Sequence, residues 1–102
     1  MNNFNALFNT AKSLLIQLIE TSSLSREEHK TADILCNFFC QQNFKPQRIK
    51  NNVIVRSNEF SNSKPTILLN SHHDTVKPVG NWLTNPFCAE QKNEAIFGLG
   101  SN

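Results

Sequence analysis

The residues best equipped for chemistry are His72, His73 and Asp74, which follow Ser71 directly after the apolar run Ile67-Leu68-Leu69. On a strand, successive side chains alternate, so His72 and Asp74 project to one side and His73 to the other. The Cα atoms of His72 and Asp74 then lie roughly 7 Å apart, at ~3.3 Å of rise per residue. That pairing suits a divalent metal. His72 ligates through one ring nitrogen, and Asp74 accepts the N–H of the other, which fixes the tautomer and makes the ligand more basic. A plainer reading leaves both histidines as polar residues where a strand meets solvent, because His-x-Asp is a short pattern. One histidine and one aspartate do not complete a centre, since zinc sites take at least three protein ligands. The only aspartates are Asp33 and Asp74.

These residues need elements to hold them. Phe4, Leu7, Phe8, Ala11, Leu14, Leu15 and Leu18 recur at the period of a helix with one buried face, from Phe4 to about Glu20. Thr21-Ser22-Ser23 breaks that pattern. Ser25-Arg26-Glu27-Glu28 has the form of a capping box and predicts a second helix from about Arg26 to Gln42, burying Ala32, Leu35, Phe38 and Phe39. Asn43 stops it, and Phe44-Lys45-Pro46 leaves it. Val53-Ile54-Val55-Arg56 predicts a short strand. Thr66 to Asn70, apolar on consecutive positions, predicts a strand buried on both faces, and the C-terminal end of such a strand is where ligands bind in α/β sheets. Asn58 to Lys64 and Pro78 to Pro86 are loops. Ala95-Ile96-Phe97 is a last strand, ended by Gly98-Leu99-Gly100. Helices followed by strands indicate an α/β layer structure.

The composition narrows the function. A chain of 102 residues has room for one domain. Its net charge is +2, and the ten basic residues are scattered, so no electrostatic footprint for nucleic acid exists. Apolar runs reach three residues where a membrane span needs about 20. The start, Met1-Asn2-Asn3-Phe4-Asn5, lacks the form of a secretory signal. Cys36, Cys40 and Cys88 are odd in number and make no disulfide framework, which points to a reducing, cytoplasmic compartment. Cys36 and Cys40 share a helical face. A metal or redox pair is one reading of them, and two small buried hydrophobes is the one adopted. His29 is expected at the surface. Trp82 and Phe87 are expected to anchor the loop beside the histidines.

The ordered series Leu68-Leu69-Asn70-Ser71-His72-His73-Asp74-Thr75-Val76, Trp82 with Pro86-Phe87, and Ile96-Phe97-Gly98-Leu99-Gly100-Ser101 resembles the M20 metallopeptidase family, with wording nearest to its acetylornithine deacetylase-like members. The resemblance implies a zinc-peptidase-like α/β fold, with two helices packed on a partial mixed sheet. It implies that residues 1–102 are the N-terminal portion of the catalytic domain, ending before the acidic residue that bridges two metals. It also implies a cytoplasmic hydrolase of linear amides using two divalent ions, zinc or cobalt. His72 matches the first metal ligand, and Asp74 the orienting residue counted as catalytic. Leu99 stands where many members carry Arg. The implied substrate is a small N-acyl amino acid, foremost N2-acetylornithine in arginine biosynthesis; succinyl-diaminopimelate and di- or tripeptides are alternatives. Nucleic acid and membrane are not expected partners, and a homodimer of the intact enzyme is compatible with the resemblance. The 102-residue chain alone is expected to be inactive.

Two rivals stand beside this reading. His73-Asp74 could be the doublet of an HD-type phosphohydrolase with His29 upstream, but that doublet belongs on a helix, and Thr75-Val76-Lys77-Pro78 is poor helix material. The other rival is a structural fragment without catalysis.

Overall fold

The computed structural model describes residues 2–101, with the side chain of Asn2 left aside. Its elements are α1 (Asn2–Ile19), α2 (His29–Gln41), β1 (Gln47–Ile49), β2 (Asn52–Ile54), β3 (Glu90–Lys92) and β4 (Ala95–Phe97). The α/β reading holds: two helices accompany two small antiparallel sheets, β1 with β2 and β3 with β4.

Helix α2 ends as its sequence indicates. Asn43 takes φ 62°, its N–H donates to Cys40 O at 3.0 Å, and the Phe44 N–H donates to Phe39 O at 2.9 Å. These two bonds form a Schellman motif, and the rings of Phe39 and Phe44 meet edge-on at 6.2 Å across it. The start of α2 differs from the expectation. The helix begins at His29, Glu28 occupies the N-cap position without a side-chain cap bond, and the Ser25 hydroxyl is engaged elsewhere.

Both hairpins close through two-residue loops, Lys50-Asn51 between Ile49 and Asn52, and Asn93-Glu94 between Lys92 and Ala95. Asn93 and Glu94 both have positive φ (51° and 62°), the combination whose twist matches antiparallel strands. Strands β1 and β3 were not expected, because Gln47-Arg48-Ile49 and Glu90-Gln91-Lys92 carry little β propensity. Pairing with an apolar partner strand and the turn geometry create them.

The strand expected over Thr66–Asn70 does not form. Ile67, Leu68 and Leu69 are 86%, 83% and 90% exposed, and the segment pairs with none of the described strands. A strand exists through its ladder, and consecutive apolar side chains need cover on both faces; neither is present. The core is correspondingly thin. Ile19 and Ala32 are buried, while Leu35, Phe38 and Phe39 are half-buried. Phe4, Leu7 and Phe8 of the expected apolar face of α1 are exposed, and a groove of about 780 Å³ lies between this face and the β3–β4 hairpin. The radius of gyration is 15.6 Å, against about 13 Å for a tightly packed chain of this size.

Candidate functional site

The segment from Ser71 to Val76 is held at three points. The first is the extended stretch between the helices, which runs parallel to it. Thr75 N–H donates to Ser23 O at 2.8 Å and Ser25 N–H to Thr75 O at 3.2 Å, making a bridge between Leu24 and Thr75. The second is the Ser25 hydroxyl on Asp74 Oδ2, presented by a tight turn from Leu24 to Glu27 that is closed by Glu27 N–H to Leu24 O at 2.7 Å, with Arg26 in the left-handed region at φ 75°. A non-glycine residue there costs on the order of 1 kcal/mol, which the surrounding contacts must outweigh. The third is His73.

His73 is spent on structure. Its Nε2 lies 2.9 Å from Asn51 O, and its Nδ1 lies 2.8 Å from the hydroxyl of Thr31, a fully buried residue of α2. A carbonyl only accepts, so Nε2 carries the proton. In the neutral ring Nδ1 is then an acceptor, and Thr31 donates to it. Glu28 O lies 3.0 Å from the same hydroxyl and is the alternative acceptor, but the hydroxyl has one proton, and two facing lone pairs at 2.8 Å would repel, so in the neutral ring that proton goes to Nδ1. Asn51 is itself held in place, because Arg48 reaches from β1 to Asp33 of α2, His29 O and Asn51 Oδ1.

His72 is arranged the opposite way. Its side chain is 84% exposed, and its Nδ1 faces Asp74 twice, at 3.1 Å from the backbone O and 3.2 Å from Oδ1. Both partners accept, so Nδ1 holds the proton and Nε2 keeps its lone pair. The other carboxylate oxygen, Asp74 Oδ2, accepts the Ser25 hydroxyl at 2.5 Å. That hydrogen bond is the main reason the Asp74 carboxyl sits below the usual aspartate range; partial burial opposes it and the nearby His72 charge assists. The expected alternation is therefore present without the strand: His72 and Asp74 work together on one side, and His73 points away into the fold. His72 and Asp74 face a cavity of about 510 Å³ floored by Leu15, Leu18, Ile19 and Leu99.

The donor set fits one ligand of a divalent cation, the Nε2 of His72, with its ring fixed by Asp74. Among the described residues no group of three His, Cys, Asp or Glu side chains is placed to complete a site. His29 is exposed at the start of α2, as expected. The cysteines depart from expectation. Of the helix pair, Cys36 is half-buried and Cys40 exposed rather than both buried; Cys88 is exposed in a loop, and all three are free. Trp82 is 40% exposed and lines neither cavity beside His72, so it does not anchor the loop there. Ser25, Thr31 and Asn51 escaped the sequence reading. Ser25 fits a capping pattern by its spacing alone, and the other two act through contacts 42 and 22 residues away that no local pattern announces.

No family model matches the chain. It is 32% identical over 98 residues to succinyl-diaminopimelate desuccinylase of Orientia tsutsugamushi strain Boryong, and equally to that of strain Ikeda. The match covers 85% of this chain and 24% of each relative, so the chain spans about a quarter of the length of the curated relatives it matches. No helix among the described residues is long and apolar enough to cross a membrane.

Proposed function

We propose that this chain supplies the first metal-ligand arm of an M20-type amidohydrolase that removes an acyl group from an N-acyl amino acid. The observation that carries the reading is the His72–Asp74 pair, in which Asp74 holds Nδ1–H and leaves the Nε2 lone pair free on an exposed side chain that lines a cavity. The similarity to the desuccinylases makes an N-succinyl amino acid such as N-succinyl-diaminopimelate the first substrate to test. N2-acetylornithine, the expectation from the sequence wording, is the second.

The division of labour among the residues follows from their contacts. His72 would hold a divalent ion through Nε2. Asp74 orients the ring and raises its basicity. His73, Thr31 and Asn51 keep the backbone of the pair in place. When bound, the ion supplies an acidified water and a polarised amide carbonyl. With one ligand arm among the described residues, residues 1–102 alone are assigned no turnover.

The test is release of free amine from N-succinyl-diaminopimelate and N2-acetylornithine by the protein that carries this chain, with zinc or cobalt supplied. Hydrolysis of either, abolished by His72→Ala and reduced less by His73→Ala, supports the reading. Failure to hydrolyse any N-acyl amino acid, or equal loss from both substitutions, overturns it. That the chain spans 24% of the relatives it matches favours a second reading for the 102-residue chain in isolation, that of a non-catalytic fragment. Stoichiometric metal binding by that chain would refute it.

A further inference from the structure

We propose that Ser25 is the positioning residue of the His72–Asp74 pair, the group that locks the carboxylate so that His72 presents Nε2 rather than Nδ1. Three observations converge on it. Ser25 Oγ lies 2.5 Å from Asp74 Oδ2, and a carboxylate only accepts, so the hydroxyl donates. The backbone of Ser25 is bonded to the next residue of the same segment, through its N–H to Thr75 O, while Ser23 O takes the Thr75 N–H. The chain also tolerates Arg26 at φ 75° to make the turn that places this side chain.

The consequence is geometric. The Asp74 side chain is 39% exposed and its carboxylate contacts His72 through Oδ1. With Oδ2 tied to Ser25, rotation of the carboxylate is restrained and Oδ1 stays opposite the ring. Without that tie the carboxylate turns toward water, Nδ1–H keeps only the Asp74 backbone O at 3.1 Å, and the share of the other tautomer rises. Ser25 touches neither metal nor substrate; it acts through Asp74. Its importance for metal binding rests on the function proposed above, whereas its effect on the tautomer does not.

The experiment is long-range ¹H–¹⁵N NMR of the histidine rings in the full chain, above the pH at which histidines carry charge. In the wild type His72 is in the Nδ1–H form and His73 in the Nε2–H form. Ser25→Ala converts His72 to a mixture, Ser25→Thr restores it, and His73 does not move, which separates a positioning role from a loss of fold. An unchanged His72 in Ser25→Ala, or His72 and His73 shifting together, overturns the proposal. A measurement on the wild type guards against a variant that fails to fold: the His72 ring is mainly in the Nδ1–H form, and an Nε2–H majority refutes the arrangement. A cobalt titration of the protein that carries this chain adds the functional arm, with apparent affinity falling about tenfold in Ser25→Ala, the scale of losing a group that orients a ligand. A wild type that binds no cobalt at all fails the ligand reading, while the tautomer result still decides the role of Ser25.

Discussion

The hydroxyl of Thr31, a residue with no exposed surface, lies 2.8 Å from Nδ1 of His73, 42 residues further along the chain. This contact and the one from His73 Nε2 to Asn51 O join α2, the β1–β2 loop and the candidate site. It separates two adjacent histidines into one that supports the fold and one that is free. His73→Ala leaves the half-buried Asn51 carbonyl without its partner and a gap beside Thr31, whose hydroxyl turns to Glu28 O at 3.0 Å, and costs about 1 kcal/mol or somewhat more. His72→Ala, at an exposed side chain, stays within about 0.5 kcal/mol. Urea unfolding of the two variants checks this, and equal losses of stability would contradict the assignment.

A second expectation concerns Gly98, which is buried against the end of α1. A Cβ at this position would fall on Ile19 Cγ2, the branched and therefore stiff part of a buried side chain. Gly98→Ala is expected to destabilise by about 1–3 kcal/mol, as overpacking does. In the double variant with Ile19→Ala the clash disappears, so the two losses add to less than their sum. Strict additivity in thermal unfolding would show that the glycine answers to something else.

The pH dependence of the site has a definite sign. The Asp74 carboxyl is held below its ordinary range chiefly by the Ser25 hydroxyl, which outweighs the opposing effect of burial, with a lesser contribution from His72. A depressed carboxyl adds stability above its unfolded pKa, and that contribution is lost as pH falls through the folded pKa. The Ser25–Asp74 contact therefore persists at neutral pH and opens only below the usual aspartate range. Carbon-13 titration of the Asp74 carboxyl measures this directly, and Ser25→Ala is expected to move its midpoint upward. A midpoint at or above the ordinary aspartate value in the wild type would contradict the hydrogen bond.

The exposed run Ile67-Leu68-Leu69, with Val76, Val79 and Leu83 also exposed, leaves apolar surface in water next to unpaired backbone. Such surface associates with whatever can cover it. The 102-residue chain is expected to self-associate with rising concentration, and Ile67→Lys with Leu69→Lys to suppress this without changing helix content. Sedimentation velocity together with circular dichroism tests both parts. A wild-type chain that stays monomeric at high concentration would show that this surface is not adhesive.

Much of the local structure was legible in the residues themselves. The stop at Asn43 could be read directly, because a left-handed residue after a helix favours Asn and the Phe39–Phe44 pair closes the motif. The β4 strand and the two long loops also followed from propensity. The alternation that sets His72 and Asp74 apart from His73 needs only extended backbone, so it survives although no ladder forms over Thr66–Asn70. Local chemistry thus sufficed to find the pair, and the pattern around it carried the likeness to the M20 family. Tertiary structure decided the rest. Whether Ser25 caps α2 or holds Asp74 depends on which acceptor the fold brings within reach, and residues 49 apart cannot announce that by spacing. Whether Ile67-Leu68-Leu69 is a buried strand depends on neighbours for its edges and faces. Hydrophobicity states that such a segment favours cover; only the arrangement of other elements determines whether it has any.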